Sequence, residues 1–149
     1  MVNKTDKTYF YPQLGAGKDL WAFRLGGHGI GNGLYNYFHA LVLCTKNNGT
    51  IITPAWPTLK LGPLLRGERS KRLYWRLFKA DKGDISGLKK MLTLLNNWNE
   101  RNVITVNKDT PLKSVKQGAL NIITCDQKFS FDGLYDFRDL IRAKFQNII

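Results

Sequence analysis

Residues 26–33 read Gly26-Gly27-His28-Gly29-Ile30-Gly31-Asn32-Gly33, and this segment with its flanks constrains the fold more than any other part of the chain. Five glycines in eight residues lose more backbone freedom on ordering than a helix or strand interior restores. The segment is therefore expected to be a loop with unusual backbone angles. Before it, Leu20-Trp21-Ala22-Phe23-Arg24-Leu25 is a short, mostly apolar run that suits a buried strand. After it, Leu34, Tyr37, Phe38, Leu41 and Cys44 recur at spacings of three and four, the stripe of a helix reaching about Lys46. Asn47-Asn48-Gly49 stops that helix, with Gly49 suited to a left-handed cap. Thr50-Ile51-Ile52-Thr53 reads as a second strand, ended by Pro54. Strand, glycine loop, helix, turn and strand form a βαβ unit, which calls for a parallel sheet.

The same alternation continues. Residues 1–18, broken by Pro12, Gly15 and Gly17, read as an irregular lead-in. Leu73, Leu77 and Ala80 suit a short amphipathic helix with a basic face. Ile85 to Trp98 is a second helical pattern, with Leu88, Leu92 and Leu95 on one side. Val103–Val106 and Leu120–Thr124 are strand-like. Tyr135 to Phe145 is helical, its apolar face made by Phe137, Leu140, Ile141 and Phe145. A single α/β domain over residues 1–149 follows.

Composition narrows the classes. A content of 43% hydrophobic and 12% aromatic residues argues for a folded core and against disorder. No apolar run approaches the ~20 residues that span a bilayer. The polar start lacks the apolar core of a secretory signal, so a soluble cytoplasmic protein is expected, with peripheral membrane contact left open. Cys44 and Cys125 stand far apart without metal-ligand spacing. Two reduced, buried thiols are expected, and no metal. The formal net charge of +12 attracts phosphates, whether of nucleic acid, an anionic membrane or a nucleotide-sugar. Arg66, Arg69, Arg72 and Arg76 interleave with Tyr74, Trp75 and Phe78. That mixture suits an anionic membrane surface or, second, nucleic acid held by phosphate contacts and base stacking.

A glycine turn between strand and helix lets a ligand approach the backbone, where the first-turn N–H groups and the helix dipole favour phosphate or a sugar oxygen. Two familiar forms are excluded. The fingerprint G-x-G-x-x-G fails because its sixth place is Asn32 counted from Gly27, and Leu34 counted from Gly29. Gly15-Ala16-Gly17-Lys18 imitates a P-loop, but Asp19 stands where Ser or Thr should meet magnesium.

What the segment does resemble is more particular. Gly29-Ile30-Gly31-Asn32-Gly33-Leu34-Tyr35-Asn36-Tyr37 is similar to the G-[LF]-G-N-Q-[ML]-F-Q-Y opening of the bacterial alpha-1,2-fucosyltransferases, and to the G-R-F-G-N-Q of the protein O-fucosyltransferases. In both groups a helix leads to a segment like N-[RK]-T-L-x-x-P-P-W, which here reads Asn48-Gly49-Thr50-Ile51-Ile52-Thr53-Pro54-Ala55-Trp56. Tyr135 to Phe145 resembles the helix that closes their N-terminal domain. The likeness covers residues 20–56 best and 133–146 less well. It implies a Rossmann-like, three-layer domain with a mostly parallel sheet, one half of a GT-B glycosyltransferase. It further implies transfer of a sugar from a nucleotide-sugar, GDP-fucose, onto the hydroxyl of a glycan acceptor, with no bound metal or other cofactor.

By that likeness Gly27, His28, Gly29, Gly31, Asn32 and Gly33 form the donor-binding turn, with Asn32 beside the nucleotide-sugar. Asn32 could equally cap a helix beginning at Leu34. His28 is a candidate base. Asp19 and Asp126 are candidates at the ligand crevice of an open α/β sheet, and His39 reads as structural. Gly33 stands where the family has Gln, and the family's H-x-R-x-G-D motif for the donor diphosphate is not present. The expectation is an N-terminal half without its C-terminal donor domain, incomplete for catalysis by itself. The alternative is a small basic module binding nucleic acid or an anionic membrane, without chemistry.

Overall fold

A computed structural model of the chain describes residues 7–14, 18–20, 22–25, 29–59, 77–106, 114–125 and 131–149. Its main sheet has four strands in the order β4-β1-β7-β6: β1 (Tyr9–Pro12), β4 (Thr50–Ile51), β6 (Asn102–Val106) and β7 (Leu120–Cys125). Every pairing in it is parallel, and Ile85 adds a parallel bridge to Ile52 beyond the β4 edge. The lead-in reading is corrected here, because β1 is a central strand. Tyr9 pairs with both Thr50 and Leu120, and Phe10 is fully buried. Its short aromatic run packs well on a pleated surface, and Pro12, which cannot donate to a ladder, ends it.

Side chains alternate across this sheet as strand geometry demands. Phe10, Ile51, Ile104, Val106 and Ile123 join one core cluster with Tyr37, Leu41 and Cys44 of helix α1 (Ile30–Lys46) and Ile148 of helix α4 (Arg138–Ile148). Tyr11, Ile52, Leu120 and Ile122 join Ile85 in a second cluster, against which Leu94 of helix α2 (Gly87–Asn97) packs. The chain is thus mixed α/β, with helices on both faces of a parallel sheet, a layout compatible with a Rossmann-like domain.

The strand expected at 20–25 is instead a hairpin. β2 (Lys18–Leu20) runs antiparallel to β3 (Phe23–Leu25), and β3 pairs in parallel with β5 (Thr58–Leu59). This three-stranded sheet is separate from the main one. The strand that immediately precedes the glycines is therefore not the strand on which the following helix packs.

Helix α1 begins at Ile30, four residues before the expected start, with Gly29 as its N-cap. Glycine is tolerated there because the first-turn amides have no carbonyl four residues back to bond. The packed stripe further along supplies the stability that propensity lacks. At the other end the left-handed residue is Asn48, at φ 49°, not Gly49. Gly49 is needed for a different reason. A Cβ there would lie 2.4 Å from the Phe10 ring and 2.9 Å from the Thr8 carbonyl oxygen.

Helix α2 exists where expected but is turned over. Leu88, Leu92 and Leu95 face solvent, while Lys90 is buried with its ammonium 5.1 Å from the centre of the Tyr11 ring. Thr53 N–H donates to the Ile85 carbonyl at 2.9 Å, and this contact with the Ile52 bridge fixes how the chain enters the helix. The C-terminal helix is broken into α3 (Asp132–Tyr135) and α4, with Phe137 at the joint. Of the short basic helix expected on Leu73, Leu77 and Ala80, residue Leu73 lies outside the described residues; Leu77–Ala80 is not helical, and Lys79 N–H bonds the Ile148 carbonyl at 2.7 Å. No described helix is long and apolar enough to cross a membrane.

Candidate functional site

In a parallel α/β sheet a helix that follows a strand starts at the carboxyl edge of the sheet, where open folds bind ligands. The contacts of α1 place its glycine end there. Gln13, just past β1, donates its N–H to the Ile123 carbonyl at 2.9 Å and accepts a 2.7 Å bond from Asn36 Nδ2 of α1. A Cβ on Gly33 would meet only the Leu14 side chain, at 3.6 Å. At the opposite edge, Gly49 packs under Phe10 where the helix has ended.

The first turn itself is bare. Gly29 has an extended cap conformation (φ −62°, ψ 168°), no described side chain caps the helix, and no acidic residue lies in its first turn. Among the described residues, nothing lies within 4 Å of a Cβ added at Gly29 or Gly31. The amides of Ile30, Gly31 and Asn32 lack the carbonyl four residues earlier that interior amides bond. With no acidic residue in its first turn and no described side chain capping it, this turn favours a negative or strongly polar oxygen. Asn32 is half-buried within the turn, which corrects its reading as the cap of a helix starting at Leu34.

Two buried polar side chains meet the end of β1, Asn36 from α1 and Arg24 from the second sheet. Arg24 of β3 is 2% exposed, donates from Nε to Thr58 Oγ1 at 2.7 Å, and bonds the Leu14 carbonyl through Nη1. It links the end of β1 to β3 and β5. Asn36 is equally buried, and its Oδ1 accepts no hydrogen bond. Gln13, Arg24, Asn36 and Thr58 were not among the sequence candidates. Only the position of Arg24 next to the glycines hinted at a role.

Of the sequence candidates, the turn brings together Gly29, Gly31, Asn32 and Gly33. Gly27 and His28 lie outside the described residues, as do Asp126 and the basic set Arg66, Arg69, Arg72 and Arg76. Asp19 sits on β2 in register with Arg24. His39 is half-buried on α1, its ring 4.4 Å from that of Tyr35. Among the described residues no three His, Cys, Asp or Glu side chains converge.

A second polar cluster ties the 81–84 turn to α4. Lys144 Nζ lies 2.6 Å from Asp84 Oδ1 and 2.9 Å from Asp81 Oδ2. Tyr37 donates its hydroxyl to Asp84 Oδ2 at 3.5 Å. The hydrogen bond from Lys144 holds the Asp81 carboxyl below its ordinary range. Burial pushes Asp84 up, against the opposing pull of Lys144. Burial also works against the charge on Lys144, but its bonds to Asp81 and Asp84 outweigh this and raise it. Burial, with Asp84 next, pushes the Cys44 thiol up to about 11, so at neutral pH it is neither a thiolate nor a nucleophile. The cluster is a structural clamp. No motif announces it, because Asp84 and Lys144 are 60 residues apart.

Neither a scan against protein-family models nor searches of curated proteins and of solved structures returned a match for this chain.

Proposed function

We propose that this chain is the N-terminal half of a fucosyltransferase-like GT-B glycosyltransferase, and that the first turn of α1 receives the sugar-phosphate part of a nucleotide-sugar, GDP-fucose. One observation carries the reading. Among the described residues nothing lies within 4 Å of a Cβ at Gly29 or Gly31, at the carboxyl edge of a parallel sheet and on a helix start that no described side chain caps. It falls on the residues whose order resembles the donor turn of that family. Transfer to a glycan hydroxyl needs a base for the acceptor proton and positive groups for the departing diphosphate. The uncapped amides suit the second task. His28, adjacent in sequence, is the candidate for the first, and the diphosphate grip would be completed by a donor domain.

The test is a substitution that blocks the turn without harming the fold. Gly31→Leu adds a side chain where no described residue lies within 4 Å of the new Cβ and replaces a poor helix former. Its stability should equal or exceed that of the parent in thermal unfolding. Its affinity for GDP-fucose by calorimetry should fall about tenfold or more, the loss of a charge-assisted contact of about 1.5–3 kcal/mol. Equal binding by both proteins sinks the assignment. Tight, steeply salt-dependent binding of single-stranded RNA with no nucleotide-sugar effect would instead establish the basic module.

A further inference from the structure

Helix α2 carries a row of leucines that its own core does not use. Leu88, Leu92 and Leu95 stand at spacings of four and three, which places them within one narrow arc of the helix. They are 63%, 49% and 66% exposed, and Trp98, one turn past Leu95, is 44% exposed. On the side facing the sheet, Lys90 is buried over the Tyr11 ring and Leu94 packs on the cluster that holds Tyr11. That packing gives no reason for three leucines on the far side. Single exposed leucines are ordinary, but an aligned row ending in a tryptophan marks a contact surface.

Shape and charge say what meets this row. It lies on the outer, convex side of a helix, so a small ligand finds no walls there. Its flanks are basic. Lys89, next to Leu88, is exposed, as is Arg101, whose guanidinium lies 4.6 Å from the Trp98 ring centre and donates to the Trp98 carbonyl at 2.9 Å. Of the described acidic residues, only Glu100 directly follows the helix. Asp81 and Asp84 are tied to Lys144, and Asp19 lies in the second sheet. Asp132, Asp136 and Asp139 belong to the α3–α4 segment, which packs with α1 on the opposite face of the main sheet. A second copy would bring the same cations and the same formal charge of +12 to the seam and be repelled. An anionic lipid surface both takes up the leucines and attracts the cations.

We propose that α2 is an interfacial helix that lies on an anionic bilayer, with Leu88, Leu92 and Leu95 in the boundary between headgroups and acyl chains. Trp98 sits at headgroup level, where amphipathic rings concentrate. Lys89 and Arg101 meet lipid phosphates, because long cationic side chains keep their stems along apolar surface and their heads in polar surroundings. An ordinary interfacial helix turns its polar face to water. Here that face rests on the sheet, so the helix carries the domain. This surface is distinct from the basic stretch at 66–76 and from the donor turn, so failure of GDP-fucose to bind leaves the proposal untouched.

Co-sedimentation with phosphatidylcholine vesicles, with and without about one-third phosphatidylglycerol, tests it. Binding should be about tenfold or more tighter to the anionic vesicles. Leu88→Gln, Leu92→Gln and Leu95→Gln preserve the net charge and alter exposed residues, so thermal unfolding should not move. Each should nonetheless weaken vesicle binding about fivefold or more. Lys89→Gln should weaken it about three- to fivefold. Binding to anionic vesicles that is indifferent to the three leucine variants is adsorption by net charge alone and overturns the proposal, as does the absence of binding. A concentration-dependent dimer in lipid-free sedimentation velocity, dissolved by Leu92→Gln, also overturns it, because the row then belongs to a second copy.

Discussion

Replacing Lys144 by Met tests whether the clamp between the 81–84 turn and α4 is as dry as its geometry indicates. Methionine keeps the aliphatic stem and removes the ammonium. The side chains of Lys144, Asp81 and Asp84 are 11%, 17% and 4% exposed. An exposed ion pair of this kind would contribute at most about 1 kcal/mol. Removing one partner of a buried pair costs about 3–5 kcal/mol, because the charge left behind has lost both its water and its counter-ion. Asp81 is open enough to turn towards water, and Asp84 is not. The expected cost at pH 7 is therefore about 3 kcal/mol, near the lower end of that range, which for a chain of this size lowers Tm by about 6–12 °C.

The pH dependence makes the test specific. Asp84 is already raised by burial with Lys144 present, and loss of the cation raises it further. A carboxyl raised in the folded state destabilises where the unfolded chain is ionised, and that penalty fades as pH falls through the folded value towards 4. The benefit of Asp81, whose folded pKa is lowered, is lost only below the unfolded carboxyl value of about 4, so it is still present at pH 4.5 and the narrowing comes from Asp84. Urea unfolding at pH 7.5 and 4.5 should thus show a deficit that narrows in acid. Adding Asp84→Asn to Lys144→Met removes the stranded charge and should restore about half of the loss. A deficit under about 1 kcal/mol, or one equal at both pH values, would show that water reaches Asp84 and refute the argument.

Gly49→Ala should cost about 2–3 kcal/mol in denaturant unfolding, because its Cβ would fall inside contact distance of Phe10 and the Thr8 carbonyl. Survival without loss would mean that α1 does not end against the sheet as described. Leu92→Gln and Leu95→Lys should each change stability by less than about 0.5 kcal/mol, since both leucines face solvent. Losses of several kcal/mol would place that stripe in the core after all.

These last two positions show where sequence reasoning stops. The leucine spacing in α2 is that of a core-facing helix, and periodicity identifies a face without saying which way it points. Orientation came from Ile85, whose pairing with Ile52 leads the chain into the helix with Lys90 towards Tyr11. β6, β7 and the body and end of α1 were legible because each carries its own local pattern of buried side chains, whereas the start of α1 among the glycines was not. β1 was not. It is four residues long, stands among turn-forming residues, and is stabilised by partners at Thr50 and Leu120, far along the chain.

The candidate site divides in the same way. Its backbone part was legible only as a run of glycines, because the expected loop with unusual backbone angles is, from Ile30 to Gly33, the first turn of α1. The part that makes it a site was not legible. Between β1 and α1 the chain leaves the main sheet to form the β2–β3 hairpin, so connectivity alone does not bring the glycine turn to the sheet edge. That placement depends on a bond made across the detour, from Asn36 to the carbonyl of Gln13, while Arg24 bonds the carbonyl of Leu14 from the second sheet. Both donors are buried, and both acceptors belong to the two residues that follow β1. The glycines supply a surface a ligand could approach, and the Asn36 bond, with the packing of Tyr37, Leu41 and Cys44 on the sheet, sets where that surface lies.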